Sequence, residues 1–369
     1  MSSSSKARLD LKLNGYAKVN STDKTREFLR DFYKVLSPEG REHLANDVSE
    51  CSGDEQLREL VRSIETGLLI PLKAQGGKTP ADITPSPRTG IEDSIENLMS
   101  ESIEPITRST QSRLRRNCLE RDGYKCVATG RYSGSHAHPK NAPTAYLEAA
   151  HIIPFALGSF QSNDSEAVHR HATIWVNLRR YFPVLRRLSF TSEDINSEKN
   201  VLMLDMVLHK EFGQFRVIFE ATGLANQYRV KNFPEAVTGA IENLPRNRLI
   251  RFRVHKGNCE LPDPALLKIH ARIGNFLHMS GRAETIDKIL EDFDDCGGLA
   301  PDGSSNLEGL LAVSRLSLLP TNVNETPDSK FKESTAKQVP TEQSRPTELQ
   351  GRQRAKHLDT ENQPLTRRS

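Results

Sequence analysis

Apolar residues recur at helical spacing in the N-terminal part of the chain. Between residues 21 and 72 they fall three or four positions apart, as on one face of a helix. Ser37 followed by Pro38 is a typical helix start, because serine caps the N-terminus and proline fits the first turn. Gly67 stands where a glycine would cap the end of a later helix. We therefore predict a helical unit at 21–72, after a disordered N-terminus at 1–20.

The pattern changes in the middle of the chain, where apolar runs of strand length alternate with helical segments. In chain order these segments are the strand "LEAAHIIPF", the helix "TIWVNLRRYFPVLRRL" with a break at its proline, the strand "NVLMLD", the helix "MVLHKEFGQF", and the hairpin strands "FRVIFEA" and "QYRVKNF". We predict that residues 107–235, which mix short strands and helices, form one domain, and we assign the chain to the α+β class.

The remaining segments differ from this region in composition. Residues 73–106 begin with "KAQGGKTPADITPSPRT", which cannot build a core, so we predict a linker that carries one short amphipathic piece, "IEDSIENLM". Residues 236–297 form a predicted helical extension, in which Asp263 and Pro264 begin a helix. Residues 298–369 are rich in Ser, Thr, Pro, Gln and Lys, which predicts a disordered tail.

The net charge and the cysteine content exclude few functional classes. The chain has 369 residues and a formal net charge of +3, so any nucleic-acid surface must come from local clusters such as "RLRRNCLERDGYK". Five scattered cysteines without a CxxC pair fit reduced thiols better than disulfides or a zinc site. No apolar run has membrane-spanning length. We expect a soluble intracellular protein without membrane association, nuclear or cytoplasmic.

One histidine stands inside an otherwise apolar run. By itself, His151 in "LEAAHIIPF" is read as a core histidine satisfied by the backbone. Asn200 and His209 follow at the start of the next predicted strand and on the next helix. A hairpin followed by a helix can bring its first strand and the helix to one metal ion, which favours a joint role for these three residues.

The ordered segments "RDGYKCVATG", "AAHIIPF" and "NVLMLDMVLHKEF" resemble the HNH endonuclease family, and most of all its fungal proteins with helical flanking regions. The resemblance covers residues 113–219. It implies a ββα-metal core that cleaves phosphodiester bonds with a divalent cation, flanked here by N-terminal and C-terminal helices. It further implies that His151 is the general base, that Asn200 holds the histidine strand, and that His209 ligates the metal.

The chain departs from the family pattern at two metal-ligand positions. The residue before the base is usually Asp or His and is Ala150 here, while a later ligand position is Gly213. Asp205, four residues before His209, is predicted to share its helix face and to be the second ligand. Glu148 is the other candidate, although strand alternation points it away from His151. With few protein ligands, Mg²⁺ or Mn²⁺ is favoured over Zn²⁺.

The basic run before the core predicts contacts with DNA phosphates through Arg113, Arg115, Arg116 and Arg121. The same interpretation extends to the arginines of "NLRRYFPVLRRL". The leading hypothesis is therefore a metal-dependent HNH endonuclease that acts on DNA. The alternative, favoured by Ala150 and Gly213, is a catalytically degenerate HNH fold that binds nucleic acid, or a protein-interaction module whose flanking helices bind a partner.

Overall fold

The computed structural model describes residues 2–74, 83–100, 111–158 and 163–296. The α-helices in these ranges are α1 (Ser2–Asn14), α2 (Thr25–Val35), α3 (Pro38–Glu50), α4 (Asp54–Ile64), α5 (Ile70–Lys73), α6 (Ile91–Ser100), α7 (Gln111–Arg121), α8 (Ser165–Tyr181), α9 (Val184–Arg187), α10 (Met206–Gly213), α11 (Thr238–Ile241), α12 (Pro264–Met279) and α13 (Arg282–Cys296). The strands are β1 (Tyr132–Ser133), β2 (Thr144–Ala145), β3 (Leu147–His151), β4 (Val201–Asp205), β5 (Val217–Ala221), β6 (Gln227–Asn232) and β7 (Leu249–Arg251). Helices and small sheets thus confirm the predicted α+β class.

The sheets are short and separate. β3 and β4 pair antiparallel, with Leu147 opposite Asp205 and His151 opposite Val201. β1 and β2 form a parallel pair, while β5, β6 and β7 form an antiparallel sheet in that order. The predicted hairpin of β5 and β6 is confirmed. β7 lies in the segment predicted to be helical. Its three residues instead pair with β6 and add a third strand to the β5–β6 sheet.

The β3–β4 pair and α10 form one ββα unit. All five residues of β4 are buried, as expected for the apolar run "VLMLD". Asp205 ends this strand and caps α10, because its carboxylate accepts a hydrogen bond from the backbone N–H of Leu208 at 3.0 Å. α10 then packs back on β3. A strand, an N-cap and an eight-residue helix therefore suffice to place α10 over the hairpin.

The N-terminus forms a helix where disorder was predicted. α1 packs on α3, and its Leu9 and Leu13 are buried together with Tyr16. Disorder was predicted at 1–20 because the segment is polar, with four consecutive serines near its start. The apolar side chains of Leu9, Leu13 and Tyr16 become buried only when later parts of the chain, such as α3, pack against them. Tertiary packing therefore outweighs the weak local signal.

Part of the predicted linker belongs to the folded body. α6 buries Ile91, Ile95 and Leu98 and packs on α8. Residues 75–82 and 101–106 of that linker lie outside the described residues, as does the predicted C-terminal tail. None of the described helices is both long and apolar enough to cross a membrane.

Gly67 does not end a helix. It lies in a π-helical turn, Glu65–Leu69, that connects α4 to α5. A Cβ atom at this position would come within 2.6 Å of the side-chain nitrogen of Asn177 on α8. The glycine is therefore required by close helix packing, and the predicted C-terminal cap is wrong. Other local predictions are confirmed, namely the Ser37 cap of α3, the Asp263 cap of α12 and the break before Pro183.

Candidate functional site

The ββα unit brings the three residues of the predicted site onto adjacent elements. His151 is the last residue of β3, and Asn200 immediately precedes β4, so the two residues are near neighbours across the strand pair. His209 lies on α10, which packs on β3. A charge on His209 would lower the pKa of His151, an effect smaller than that of burial.

Asn200 holds the chain immediately beyond His151. Its side chain is fully buried, and its amide oxygen accepts a hydrogen bond from the backbone N–H of Ile153 at 2.9 Å. Its amide nitrogen donates to the carbonyl oxygens of Ile153 at 3.0 Å and Ile195 at 2.9 Å. Both ends of the amide are therefore used. This arrangement fixes the backbone immediately after β3, and with it the direction of the His151 side chain.

His151 is half-buried and is oriented by a second asparagine. Its Nε2 lies 3.1 Å from the amide oxygen of Asn196, which can only accept, so Nε2 carries the hydrogen and Nδ1 carries the lone pair. The ring packs beside Phe155, with 5.6 Å between the ring centroids. Burial lowers the pKa of His151 to about 4, against the opposing effect of the Asn196 hydrogen bond. The imidazole is therefore neutral near pH 7 and able to accept a proton.

His209 contacts Glu148 across the ββα unit. The Nδ1 atom of His209 lies 2.6 Å from a carboxylate oxygen of Glu148. Both side chains are partly exposed, with fractional exposures of 35% and 46%. Glu148 lies on β3 opposite Leu204, just before the chain turns into α10. The carboxylate and the imidazole thus form a solvent-accessible pair on the same ββα unit as His151.

Asp205 does not join His209 on a helix face, contrary to the prediction. The residue precedes α10 and caps it, so the four-residue spacing within a helix does not apply. Besides the N–H of Leu208, its carboxylate accepts hydrogen bonds from the Thr129 hydroxyl at 3.3 Å and the Cys126 thiol at 3.5 Å. The Asp205 side chain is buried and committed to these internal contacts. Glu148, the second choice from the sequence, makes the contact with His209.

The two family positions that lack a ligand side chain differ in their surroundings. Ala150 is fully buried in β3 opposite Leu202, where a longer polar side chain would enter the core. Gly213 is the last residue of α10 and is partly exposed. Within the described ranges, no three His, Cys, Asp or Glu side chains form a cluster that could hold a metal ion.

The remaining donor set fits one type of cation better than another. Glu148 and His209 offer one carboxylate and one imidazole, and both are reached by solvent. A Zn²⁺ site needs three or four protein ligands. Mg²⁺ keeps several waters and needs only one or two carboxylates plus substrate phosphates, and Mn²⁺ binds similar ligands. The pair can supply at most two protein ligands, so it suits a cation that keeps most of its waters better than it suits Zn²⁺.

The four arginines of the predicted DNA surface separate into two groups. Arg113 and Arg116 are exposed on α7, and Arg115 is exposed while donating to the carbonyl oxygen of Leu147 at 3.0 Å. Arg121 is completely buried and forms a two-contact ion pair with Asp122 at 2.7 and 2.8 Å. Because it is buried, Arg121 cannot contact DNA, and this part of the prediction is corrected.

Arg121 instead supports the β3–β4 strand pair. Its guanidinium donates to the backbone carbonyl oxygens of Glu198 at 2.7 Å and Val201 at 2.8 Å, on both sides of Asn200. Its partner Asp122 accepts a hydrogen bond from the backbone N–H of Met203 in β4 at 3.2 Å. The buried ion pair therefore holds the backbone on both sides of Asn200, at the point where the chain enters β4.

Two residues of the site were missed or ranked too low from the sequence. Glu148 was placed second because alternation along β3 separates it from His151, but the relevant partner is His209 on the helix that folds over the strand. Asn196 carried no signal, since an asparagine in "INSEKN" is typical of any turn. Only the three-dimensional path of residues 193–200 brings its amide to the His151 ring.

Comparisons with known proteins agree with this geometry. Residues 126–220 match a family model described as HNH endonuclease. The matched segment contains His151, Glu148, Asn200 and His209, and it leaves α7 outside. No curated protein and no solved structure matches the chain. HNH endonucleases generally use a divalent metal ion and act on nucleic acids. The chain therefore carries an HNH endonuclease domain at residues 126–220.

Proposed function

We propose that this chain hydrolyses phosphodiester bonds in DNA with the help of a divalent cation, Mg²⁺ or Mn²⁺. One observation carries the proposal: a neutral His151, braced by Asn200 and Asn196, lies on the same ββα unit as the exposed Glu148–His209 pair. A proton acceptor and a cation-binding pair beside each other are what metal-assisted hydrolysis of a phosphodiester requires.

His151 is assigned as the general base. Because Asn196 holds the Nε2 hydrogen, Nδ1 is the atom that takes the proton from the attacking water. The low pKa keeps the ring neutral before substrate binds. A phosphodiester carries a negative charge, which favours the imidazolium form and raises the pKa of His151 toward working pH in the complex. The base is therefore strengthened when substrate is present.

Glu148 and His209 are assigned as the residues that hold the cation. Glu148 accepts the Nδ1 hydrogen of His209, which fixes the ring and leaves Nε2 as its ligating nitrogen. The second carboxylate oxygen remains available for hydrogen bonds to water around the cation, while the direct ligand is Nε2 of His209. When bound, the cation stabilises the negative charge that develops on the phosphate and on the leaving oxygen.

The reaction needs no nucleophile from the protein. The oxygen of a water molecule bonds to phosphorus, and its proton passes to Nδ1 of His151. The bond between phosphorus and the sugar oxygen of the leaving strand breaks, and that oxygen takes a proton from solvent. His151 then releases its proton to solvent. The products are one alcohol end and one phosphate end, so the net change is the addition of one water.

DNA is assigned as the substrate from the charge of the neighbouring surface. Arg113 and Arg116 project from α7 into solvent, and α7 packs on β3 and β4. Guanidinium groups at this place would bind phosphates of the backbone without reading sequence. They would hold a strand across the ββα unit, so substrate positioning and chemistry lie on adjoining elements.

The experiment is a plasmid-cleavage assay with the purified full-length chain. Supercoiled DNA should be nicked with Mg²⁺ or Mn²⁺, and EDTA should stop the reaction. His151→Ala should lower the rate at least about 100-fold, the usual contribution of a general base. His169→Ala removes an exposed histidine on α8 and serves as the matched control. Folded protein that cleaves with neither cation would overturn the proposal.

Ala150 and Gly213 favour a second candidate function, a domain that binds nucleic acid without cleaving it. Both positions lack side chains that could ligate a metal, so only Glu148 and His209 remain. This candidate predicts salt-dependent DNA binding without turnover, unchanged in His151→Ala. A pure protein-interaction role predicts neither DNA nor metal binding, together with a stable protein partner on the flanking helices.

A further inference from the structure

A small cavity with an unusual charge lies away from the catalytic residues. It has a volume of about 170 Å³ and opens between the start of α6 and the end of α8. The ionisable residues that the described ranges contribute to its lining are all arginines, namely Arg88, Arg179, Arg180 and Arg186. His151, Asn200 and His209 do not line it. Among the residues that the structure describes, this concave surface has four guanidinium groups and no carboxylate, which favours a negatively charged occupant.

Arg88 forms a fixed and buried wall of this cavity. Its side chain is 3% exposed. Its Nε donates to the Ser86 hydroxyl at 2.9 Å, and one terminal nitrogen donates to the amide oxygen of Asn177 at 2.6 Å. Its other terminal nitrogen, Nη1, is buried without a hydrogen bond and lies 3.9 Å from the carboxylate of Asp47. Arg88 therefore places a full positive charge in the interior with incomplete compensation.

Asp47 cannot neutralise this cluster, because it is shared. The same carboxylate forms an ion pair with Arg180, whose Nε lies 3.1 Å from it, and it accepts a hydrogen bond from the Tyr181 hydroxyl at 3.0 Å. One negative charge thus faces two guanidinium groups. Arg186, which is exposed, adds a further positive charge to the lining.

The other two arginines of the lining differ in their exposure. The guanidinium of Arg179 lies over the Trp175 ring, 5.5 Å from its centroid, and this contact fixes its position. Arg186 is exposed on α9. Its neighbour Arg187 instead forms an ion pair with Glu39 and does not line the cavity. Two adjacent arginines of one short helix therefore have different surroundings, which provides a matched pair for experiments.

A nearby histidine responds to the same positive field. Burial lowers the pKa of His43, and the charges of Arg180 and Arg186 lower it further, while Asp47 and Glu39 oppose this effect. The arginines of the cavity thus lower the pKa of His43, a residue that does not line it.

Backbone groups add to the attraction for an anion. The cavity lining includes Thr89, Gly90 and Ile91, at the start of the ten-residue helix α6. Gly90 has a positive φ of 70° and no side chain that could cap the helix. The N-terminus of a helix attracts negative charge. Glu92 and Asp93 of the first turn are exposed and lie outside the lining.

We propose that this cavity is a phosphate-binding site, separate from the catalytic centre. Planar guanidinium groups and helix N–H groups match the oxygens of a phosphate, and 170 Å³ admits one phosphate with a few waters rather than a whole nucleotide. The phosphate is either a free anion or one group of a DNA backbone. Because binding at this site does not involve His151 or a cation, it does not depend on the proposed cleavage.

The test measures binding by the full-length chain in the presence of EDTA. Isothermal titration calorimetry with inorganic phosphate probes the free anion, and fluorescence anisotropy with a short labelled duplex probes the DNA backbone. The variant is Arg186→Gln, on the exposed rim, and the control is Arg187→Gln, which removes the same charge one residue away. Thermal unfolding of both variants checks that the fold is kept.

We expect Arg186→Gln to raise the dissociation constant about tenfold for the probe that occupies the site, and Arg187→Gln to change it by less than about twofold. An effect on inorganic phosphate identifies a free anion, and an effect on the duplex alone identifies a backbone phosphate. If the wild-type chain binds neither probe, or if both variants behave alike, the proposal is wrong. If the wild-type chain binds phosphate as expected but does not cleave plasmid, only the nuclease assignment is wrong.

Discussion

The carboxylate of Glu148 lies 2.6 Å from Nδ1 of His209, joining β3 to the helix that follows β4. This contact determines which ring nitrogen of His209 points outward. A histidine that donates one N–H to a carboxylate is the usual arrangement of a metal ligand. The carboxylate that supports the site therefore comes from the histidine strand and not from the start of α10.

Replacement of Glu148 should weaken cation binding. Glu148→Gln removes the negative charge and the acceptor for His209, so the affinity for Mn²⁺ should fall about 10-fold to 100-fold. Electron paramagnetic resonance of free Mn²⁺ during a titration measures this change. Asp205→Asn is the matched control, because asparagine also caps helices and Asp205 faces internal donors. Equal losses in the two variants would show that Asp205, as predicted from the sequence, contributes to the site.

Asn200 should contribute to stability as well as to activity. Asn200→Ala removes three buried hydrogen bonds, and at about 1 kcal/mol each the free energy of unfolding should fall by about 3 kcal/mol. Urea denaturation measures this quantity. Asn243→Ala is a control, since that exposed side chain makes one bond to the carbonyl oxygen of Gly239. A loss for Asn200→Ala no larger than for the control would disprove the bracing role.

The arginines of α7 should divide into binding and structural residues. Arg113→Gln and Arg116→Gln should each weaken DNA binding and reduce the salt slope of log K by about 1, without affecting stability. Arg121→Gln should instead lower the free energy of unfolding by about 3–5 kcal/mol, because Asp122 would remain buried without its partner. Anisotropy at several salt concentrations and urea denaturation separate the two effects. Stable Arg121→Gln protein with reduced DNA binding would contradict this division.

Buried histidines should make the fold sensitive to acid. Burial lowers the pKa of His270 to about 3 and that of His171 to about 4, from an ordinary 6.5. Between pH 6.5 and these values the unfolded chain binds more protons, so stability is complete above pH 6.5 and is lost as pH falls toward 4. The slope is up to about 1.4 kcal/mol per pH unit for each histidine.

His270→Gln tests this acid sensitivity. The glutamine amide can keep the hydrogen bond that Nε2 of His270 makes to the carbonyl oxygen of Phe212 at 3.0 Å, but it does not titrate. Unfolding free energies measured from pH 4.5 to 7 should therefore have a shallower slope in this variant. His138→Gln changes an exposed loop histidine and is the control. An unchanged slope in His270→Gln would refute the explanation.

Local signals in the sequence were sufficient for the ββα unit. The apolar run around His151, the short strand after Asn200 and the helix of His209 are each continuous in the chain, and their order carries the HNH resemblance. The family match at residues 126–220 confirms that resemblance. The caps at Ser37 and Asp263 were likewise predicted, because a cap depends only on residues a few positions apart.

Features that depend on distant contacts could not be predicted in the same way. Arg121 belongs to a basic run, and only the meeting of α7 with β4 shows that it is buried. Gly67 is explained by Asn177, 110 residues later. The choice between Asp205 and Glu148 depends on where α10 begins, because a helix that starts at Met206 makes Asp205 its cap and not a residue of its exposed face.

The most direct test of the central claim is the single-turnover cleavage rate of a labelled DNA duplex by the full-length chain. It is measured with Mn²⁺ or EDTA for the wild type and for His151→Ala, with enzyme in excess so that chemistry limits the rate. The account predicts Mn²⁺-dependent cleavage by the wild type and a rate at least about 100-fold lower for His151→Ala. Equal rates for the two proteins, or no cleavage by folded wild-type protein, would contradict it.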